Sequence, residues 1–402
     1  MLIVPTMSTI FVRTQLFDRL NAARAMSDAL FAMVKPECLV ERPIGERHRI
    51  IFYIGHLEAF DWNLVRATIA DIKPFNADFD KLFAFGIDPV DGGLPHDVPS
   101  DWPSLERIQE YRERVRATLK RAVVDVTAGP KRDQIMNVMI EHRLMHVETL
   151  TYMFHWLDFD RKIERPQDDE PTAPAATNEM VEVAAGVATL GLPRGGKFGW
   201  DNEFNQHEVD VPAFAIDKYK ITNAQYLEFV RDGGRHPKFW IERNGEWLFR
   251  GMFREYRLPA DWPVYVSHEE ASAYASWAGK TLPTEAQWHR AAAGSSTTAG
   301  NFNFKRWDPV SVAAYAEGAG ASGAVGMTGN GWEWTSTTFA PFDGFEPFPF
   351  YPGYSADFFD GKHFVMKGGS ARTAACMLRP SFRNWFQAHY PHIYAGFRCV
   401  SK

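Results

Sequence analysis

Two histidines stand four residues apart in the segment Glu141-His-Arg-Leu-Met-His-Val-Glu. If this segment is helical, His142 and His146 lie one turn apart on the same face, so both imidazoles reach one point. Imidazole is the commonest protein ligand of divalent transition metals. The spacing therefore predicts part of a metal site, although two histidines on one helix also occur where they only pack or face solvent.

A third candidate ligand, His56, lies far upstream in Tyr53-Ile-Gly-His-Leu-Glu-Ala-Phe-Asp-Trp. A helix that carries His56, packed beside the helix of His142 and His146, would present three imidazoles and leave coordination positions open. Structural metal sites are normally closed by four protein ligands, so an open three-histidine face is typical of a catalytic metal. We therefore expect a catalytic site if the two helices are neighbours.

The composition is that of an ordinary globular chain. Its 402 residues are enough for two or three domains, and its net charge of −6 indicates neither a nucleic-acid partner nor a membrane surface. Three widely separated cysteines, Cys38, Cys376 and Cys399, predict no disulfide framework. The apolar residues 1–7 are too few for a signal peptide or a membrane span, so we expect a cytoplasmic protein.

Long amphipathic helices are predicted for the first part of the chain, where one helical stripe is formed by Leu105, Ile108, Val115 and Leu119. Comparable patterns predict helices over 11–34, 45–71, 103–127 and 131–157. Short connections between such helices favour an up-and-down bundle, which builds metal sites from inward-facing residues of neighbouring helices. The connection over 72–102 is longer than a turn, and we expect a functional or disordered loop there.

Residues 161–180 begin with a stretch rich in proline and acidic residues and predict a linker between domains at 8–160 and 181–402. Beyond it the chain is dense in glycine and aromatic residues. Two clear helical patterns cover 223–232 and 268–279, and the remainder predicts short strands and long loops. The expected fold class is therefore α+β.

The second half resembles the formylglycine-generating-enzyme (sulfatase-modifying-factor) domain, which has a C-type-lectin-like α+β fold. The stretches that carry the resemblance are Phe198-Gly-Trp-Asp-Asn-Glu, Ile221-Thr-Asn-Ala-Gln-Tyr, Gly279-Lys-Thr-Leu-Pro-Thr-Glu-Ala-Gln-Trp, Gly329-Asn-Gly-Trp-Glu-Trp-Thr, Lys367-Gly-Gly-Ser and Ala395-Gly-Phe-Arg. We expect most of these residues to serve the scaffold, with glycines at constrained turns and tryptophans in the core.

With a DinB-like four-helix bundle ahead of that domain, the chain resembles the ergothioneine-type sulfoxide synthases. The resemblance implies a mononuclear non-haem Fe(II) oxidoreductase that uses O2 to join a chalcogen donor to the imidazole C2 of hercynine, which is Nα-trimethylhistidine. It assigns His56, His142 and His146 to the metal. Glu148 also fits the family's motif, but three imidazoles already supply the ligand set, so we expect it in an outer position or in helix packing.

Two other identities remain to be weighed. Formylglycine-generating enzymes need a pair of nearby cysteines late in the domain, whereas Cys376 and Cys399 are far apart in the sequence. A non-catalytic lectin-like binding module would leave the histidine-bearing bundle without a role. Both identities therefore explain the chain less completely than the synthase family does.

The resemblance also implies which residues bind the acceptor. An Asn-Trp pair near the C-terminus matches Asn384-Trp385, and a tyrosine pair matches Tyr351 and Tyr354. A quaternary ammonium donates no strong hydrogen bond, so an aromatic face and amide or phenol oxygens must hold it. Tyr351 is expected to be the phenol closest to the iron, where it delivers a proton as the catalytic acid.

The chain departs from the family where the donor should bind. Members that use γ-glutamylcysteine carry an arginine-rich loop that clamps its carboxylates. Residues 83–99 contain no arginine and carry Asp88, Asp91 and Asp97, and Phe386 replaces the acidic residue that follows the Asn-Trp pair. The chain thus best resembles the selenoneine synthases, which use a selenosugar. The alternative is an ergothioneine sulfoxide synthase that uses cysteine or γ-glutamylcysteine.

Overall fold

The structure is a computed structural model that describes residues 7–86, 96–125 and 129–401, with the side chains of 7–14 and 124–125 left out. The chain divides into two compact units, Met1–Arg165 and Pro166–Lys402. The predicted linker over 161–180 contains residues from both units. In the first unit Lys162 forms an antiparallel bridge with Val34. In the second unit the indole of Trp262 donates to Glu170 at 2.8 Å.

The first unit is helical, and its four long helices agree with those predicted to within a few residues at each end. The helices are α1 Met7–Phe31, α2 Ile50–Thr68, α3 Ala77–Phe85, α4 Leu105–Asp125 and α5 Pro130–His155. The predicted stripe of α4 is confirmed for Ile108, Val115 and Leu119, which are fully buried, whereas Leu105 at the start of the helix is only partly buried. Helix α5 begins with proline at its first position, where the missing N–H costs nothing. Buried residues follow α5 along most of its length, which is typical of a central helix.

The prediction that 72–102 is a loop throughout was wrong, because it contains the short helix α3. The side chain of Asn76 accepts from the backbone N–H of Phe79 at 3.1 Å and so caps the start of this helix. The helix ends at Gly86, whose φ of +75° is readily adopted by glycine. The carboxylate of Asp80 accepts from the Trp62 indole at 3.0 Å, and this contact fixes α3 against α2.

The second unit is built from short strands and three helices among its described residues, which confirms the predicted α+β class. The helices are α6 Asn223–Arg231, α7 His268–Trp277 and α8 Glu285–Ala291. The strands are β1 Met180–Val183, β2 Gly186–Leu190, β3 His207–Val211, β4 Phe214–Asp217, β5 Trp240–Arg243, β6 Glu246–Arg250, β7 Glu255–Arg257, β8 Lys280–Thr281, β9 Trp332–Thr338, β10 His363–Lys367, β11 Asn384–Gln387, β12 Ala395–Gly396 and β13 Val400–Ser401. Each of the three helices starts with a Ser or Thr capping box.

The strands form two four-stranded sheets and two smaller ones. One sheet has the order β1-β4-β13-β8, and its core includes Ile216, Trp288 and Val400. The other has the order β11-β10-β9-β12, with β12 parallel to β9. The smaller sheets are the pair β2-β3 and the meander β5-β6-β7. None of the described helices is both long and apolar enough to cross a membrane.

Candidate metal centre and acceptor-binding residues

The structure brings His56 of α2 together with His142 and His146 of α5. One ring nitrogen from each histidine can be chosen so that all three lie within 4.8 Å of one another. The ring centroids of His142 and His146 are 4.5 Å apart, and that of His56 is 4.9 Å from His146. Three imidazoles that converge in this way could hold a metal ion, and no carboxylate is needed to complete the cluster.

A backbone carbonyl fixes the tautomer of one of these histidines. Nδ1 of His56 lies 2.7 Å from the carbonyl oxygen of Phe83, which can only accept a hydrogen bond. Nδ1 therefore carries the hydrogen, and Nε2 keeps its lone pair free to bind a metal. Metal-binding histidines usually have such an outer hydrogen bond, which orients the ring. Helix α3 supplies it here.

A glycine permits this contact. A Cβ atom added to Gly55 would lie 2.4 Å from the Phe83 ring, which is closer than any real packing distance. Because residue 55 has no side chain, the buried Phe83 ring packs directly on α2. Its carbonyl then reaches His56, the next residue along the helix. A glycine is therefore required at position 55, next to His56, so that Phe83 can pack against α2.

The environment keeps the three imidazoles neutral. Burial lowers the pKa of His56 to about 4, although the Phe83 carbonyl acts in the opposite direction. Burial, together with the neighbouring histidines, holds the pKa of His142 and of His146 well below the usual value. Neutral imidazole is the form that binds a metal, so the cluster is ready to do so near pH 7. The chemistry of the donor set thus fits a divalent transition metal.

A buried ion-pair network joins the two ligand-bearing helices. Arg143 donates to the carbonyl oxygen of Leu57 at 2.7 Å, to Asp61 at 2.9 Å and to Glu58 at 3.1 Å. Arg143 and both carboxylates are almost fully buried. Removing one partner from such a network leaves an uncompensated buried charge, which costs several kcal/mol. The network therefore holds α2 and α5 in a fixed relation beside His56.

A second arginine, Arg47, lies close to the histidines, and the sequence analysis did not single it out. The Arg47 guanidinium is near enough to help lower the pKa of His146, after burial and His56. Arg47 also donates to the Tyr152 hydroxyl at 2.9 Å. Arg47 belongs to an arginine-rich stretch just before α2. That stretch was the one feature of the sequence that could have predicted a cation near His56. Glu148 is buried, and its outer position remains a prediction.

Asp97, one of the three aspartates predicted in place of the loop arginines, has a carboxylate that is fully engaged by other residues. It accepts from Arg49 at 2.7 Å and from the Trp102 indole at 2.6 Å, and it forms an ion pair with Arg42. Burial opposes ionisation, but these hydrogen bonds and the two arginines together lower the pKa of Asp97. The charge of Asp97 is therefore compensated. Asp88 and Asp91 lie outside the described residues.

In the second unit, the structure brings the predicted acceptor-binding aromatics together. The Trp385 ring stacks on Phe339 at a centroid distance of 4.1 Å and meets the edge of Tyr354 at 5.4 Å. Tyr354 lies 5.5 Å from Tyr351. Trp385 is only partly buried. Trp385, Tyr351 and Tyr354 thus form one aromatic cluster that could meet a cation through its π faces.

Phe386 is not part of this cluster. Successive residues of a strand point to opposite faces, so Phe386 on β11 points away from the side of Trp385. Its ring instead stacks on Tyr390 at 5.3 Å. Asn384 uses its side-chain oxygen to accept from the backbone N–H of Trp385 at 2.9 Å. The roles predicted for Asn384 and Phe386 in substrate binding remain predictions.

Comparison with known proteins agrees with both units. Residues 19–156 match the DinB superfamily, and residues 166–402 match the sulfatase-modifying factor enzyme 1-like domain. A helical unit with a three-histidine cluster, followed by a domain of that second family, defines a two-domain class. The chain belongs to the ergothioneine-type sulfoxide synthase family.

Three curated relatives illustrate the match. "Ergothioneine biosynthesis protein 1" of Neurospora crassa is 29% identical, over 92% of this chain and 55% of that protein. "Hercynine oxygenase" of Mycobacterium tuberculosis is 38% identical, over 49% of this chain and 55% of that protein. "Hercynine oxygenase" of Mycolicibacterium thermoresistibile is 33% identical, over 71% of this chain and 73% of that protein. The chain thus spans about half the length of the first two.

Proposed function

We propose that this chain is a mononuclear non-haem Fe(II) oxidoreductase that uses O2 to form a carbon–chalcogen bond at the imidazole C2 of hercynine. The observation that carries the proposal is the cluster of His56, His142 and His146, with the tautomer of His56 fixed for metal binding. The relatives named hercynine oxygenase support the choice of acceptor.

Three neutral histidines fit Fe(II), which accepts imidazole ligands and keeps open positions in related oxygenase sites. Bound at these residues, Fe(II) would supply the activation of O2. The balance of the reaction is simple. The C2 hydrogen of hercynine and the hydrogen of the donor's thiol or selenol are lost with two electrons, and a C–S or C–Se bond forms. If the product is a thioether or selenoether, O2 takes up both electrons and both protons and leaves as H2O2. If the chalcogen is also oxidised, one oxygen atom of O2 becomes the sulfoxide or selenoxide oxygen, and the other leaves as water with both hydrogens.

Hercynine carries a permanent positive charge, and the aromatic cluster of the second unit suits it. Trp385 and Tyr354 present ring faces and edges within 5.4 Å of each other. A cation held over such rings is stabilised by about 0.5–2 kcal/mol. This interaction needs no hydrogen bond, which suits a trimethylammonium group because it has no N–H to donate. Trp385, Tyr354 and Asn384 are therefore our proposed acceptor-binding residues.

Tyr351 is our proposed proton donor. Burial, together with the charges of Asp201 and Asp357, raises the pKa of Tyr351 to about 12. The phenol therefore stays protonated at neutral pH, which a general acid requires before it acts. A phenol of ordinary pKa would also be protonated at this pH. The effect of the raised pKa is therefore on the phenolate, which becomes less stable. The expected consequence is that the phenolate, once formed, takes a proton back before the next turnover, because its protonated form is strongly favoured.

For the donor, we propose a selenosugar. Between residues 83 and 99 there is no arginine to pair with a dianionic peptide. Two carboxylates buried without cationic partners would cost several kcal/mol. A sugar gives up only neutral hydroxyl hydration, which backbone groups and acidic side chains can replace. Asp97 is not among those side chains, because its carboxylate is occupied by Arg42, Arg49 and Trp102.

A thiol donor such as cysteine or γ-glutamylcysteine is the second candidate, and one observation favours it. Arg47 lies near enough to His146 to affect its pKa, so a guanidinium lies close to the histidine cluster. Arginine binds a carboxylate bidentately and could replace the missing loop arginines. The selenosugar proposal therefore depends on Arg47 remaining engaged with Tyr152.

The experiment that tests the proposed function is a donor comparison. The protein is loaded with Fe(II) without oxygen and then mixed with O2, hercynine and either a 1-selenosugar, cysteine or γ-glutamylcysteine. Products are identified by mass spectrometry, and kcat/KM is measured for each donor. We expect turnover with the selenosugar to exceed turnover with γ-glutamylcysteine by a wide margin. Efficient turnover with γ-glutamylcysteine and none with the selenosugar would reverse the choice of donor.

A further inference from the structure

A short buried turn, Asp201–Glu203, consists entirely of polar residues. It forms a 3-10 turn within the motif that begins at Phe198, which was expected to serve the scaffold. Asp201 and Asn202 are 1% exposed and Glu203 is fully buried. Burying two carboxylates is unfavourable unless they are hydrogen-bonded, so their partners show what the turn organises.

The first partner is the segment that carries the tyrosine pair. The hydroxyl of Ser355 donates to Oδ1 of Asp201, and it accepts from the side-chain amide of Asn202 at 2.8 Å. Ser355 follows Tyr354 directly. The ring of Trp200, the residue before the turn, stacks on Tyr354 at a centroid distance of 4.0 Å. The turn thus fixes both the backbone and the ring of the tyrosine segment.

The second partner is the segment that leads to Trp385. The Glu203 carboxylate accepts from Nε and Nη2 of Arg379, which is a bidentate pairing. Its Oε2 also accepts from the Ser381 hydroxyl at 2.7 Å. Both partners precede β11, the strand on which Trp385 lies. One carboxylate therefore restrains the chain just before the predicted acceptor-binding tryptophan.

One acceptor atom of the turn is not used by the protein. Within the part of the chain that the structure describes, Oδ1 of Asn202 is buried and has no hydrogen-bond partner. The Asp201 carboxylate, in contrast, also interacts with the backbone N–H of Phe348 in the tyrosine segment. Burial also raises the pKa of Asp201, against the effect of its bond from Ser355. A turn that served stability alone would gain from apolar residues at these positions. Polar residues there indicate a requirement other than stability.

We propose that the Asp201–Glu203 turn is the positioning element of the acceptor pocket. Through Ser355 it holds the segment of Tyr351 and Tyr354 in position. Through Arg379 and Ser381 it holds the segment that leads to Trp385. The distance between the two aromatic segments is therefore fixed. The inference rests on the proposed function for the identity of the acceptor. The restraint of the two segments by the turn does not depend on which ligand the protein binds. The turn residues themselves act through other residues and are not catalytic.

The test uses one variant for each arm of the turn. Ser355→Ala removes the link to the tyrosine segment, and Glu203→Gln weakens the link to Arg379. Ser322→Ala is the matched control for Ser355→Ala, because the Ser322 hydroxyl also makes two hydrogen bonds and touches neither segment. It donates to the Ala291 carbonyl at 2.7 Å and accepts from the backbone N–H of Ala324 at 3.1 Å. Hydrogen–deuterium exchange is measured in peptides covering 348–358 and 379–387. Hercynine affinity is followed by tryptophan fluorescence.

We expect Ser355→Ala to speed exchange in 348–358 only and Glu203→Gln to speed it in 379–387 only. Each should weaken hercynine binding about tenfold, the size of one lost hydrogen bond to a charged group. For Glu203→Gln, whose arm leads to Trp385, kcat should fall much less than the KM for hercynine rises. Ser355→Ala, whose arm leads to Tyr351, should lower kcat as well. Asp201→Asn, which keeps an acceptor for Ser355, should recover most of the affinity that Asp201→Ala loses.

The outcomes separate the two claims. If the wild-type protein does not bind hercynine, the proposed function is wrong, whatever the exchange pattern. If it binds hercynine and both variants match the Ser322→Ala control in exchange and affinity, the positioning role is wrong. A uniform loss of exchange protection over the whole second unit would also contradict it, because that pattern indicates a purely structural turn.

Discussion

Nδ1 of His56 lies 2.7 Å from the carbonyl oxygen of Phe83, and this bond joins a candidate metal ligand to a helix that has no ligand of its own. The bond decides which nitrogen of His56 faces a metal, because the hydrogen must sit on Nδ1. It also makes α3 part of the site. Any change that moves α3 away from α2 should therefore be seen in metal binding.

Gly55→Ala tests that link. The added Cβ would lie 2.4 Å from the packed Phe83 ring, so α3 must shift and the bond to His56 must lengthen. Loss of an outer-shell partner typically weakens metal binding about 10-fold to 100-fold. Anaerobic Fe(II) titration measures the change. Gly45→Ala is the control, because nothing lies within 4 Å of its added Cβ. Equal iron affinity in the two variants would show that α3 does not support the site.

Replacing both histidines of α5 should abolish metal binding. We expect His142→Ala/His146→Ala to lose bound Fe(II) and turnover while circular dichroism retains the helical signal. Two of the three imidazoles of the cluster are then gone, and His56 alone cannot hold the ion. His236→Ala, at an exposed histidine of the second unit, is the control. Full iron occupancy in the double variant would contradict the assignment of His142 and His146 as metal ligands.

The metal-free protein should lose stability as the pH falls below about 6.5, where an unfolded histidine takes up a proton. Burial keeps the pKa of folded His142 well below that value, so the unfolded state binds more protons and is favoured. One such histidine contributes a slope of up to about 1.4 kcal/mol per pH unit. Denaturant unfolding between pH 7 and pH 5 should therefore show a smaller slope for His142→Asn than for wild type. Identical slopes would mean that His142 is not held neutral.

Trp385→Ala should weaken hercynine binding much more than donor binding. Cation–π contacts are worth about 0.5–2 kcal/mol, which corresponds to a loss of about threefold to thirtyfold. Histidine, which lacks the methyl groups, is the ligand control. Trp277→Ala is the protein control, because Trp277 is an exposed tryptophan of the same unit. If wild type binds histidine as tightly as hercynine, the aromatic cluster has been misassigned.

Arg47→Gln distinguishes the two donor classes. If the donor is a selenosugar, kcat/KM for it should change little, because no carboxylate needs the guanidinium. If γ-glutamylcysteine is the donor, the loss of a charged hydrogen-bond partner should lower its kcat/KM by about tenfold or more. Arg121→Gln, at an exposed arginine of α4, is the control. A large loss with the selenosugar would contradict our donor proposal.

Local spacing explains what the sequence could predict. The four-residue interval of His142 and His146 and the apolar stripe of α4 depend only on helical periodicity, and the structure contains both. Helix α3 was missed because it is short and lies inside a proline- and glycine-containing connection. Its existence depends on packing against α2, which no local pattern reveals.

Pairings between distant residues explain what could not be predicted. Asp97 looked like a free acid because Arg42 and Arg49 are far away in the sequence. The Asp201–Ser355 bond joins residues still further apart. Such contacts follow from the tertiary fold and carry no sequence period. The residues of 83–99 alone therefore could not reveal that Asp97 is paired, because its arginine partners come from the segment before α2.

The most direct test of the central claim uses hercynine labelled with deuterium at C2. The Fe(II)-loaded protein is mixed with O2 and a 1-selenosugar, and the release of deuterium and the mass of the product are followed together. We predict one deuterium lost for each molecule of a product that contains both selenium and the hercynine imidazole, and no product from His142→Ala/His146→Ala. Hercynine recovered with its C2 deuterium intact, under conditions where iron is bound and every donor has been offered, would contradict the account.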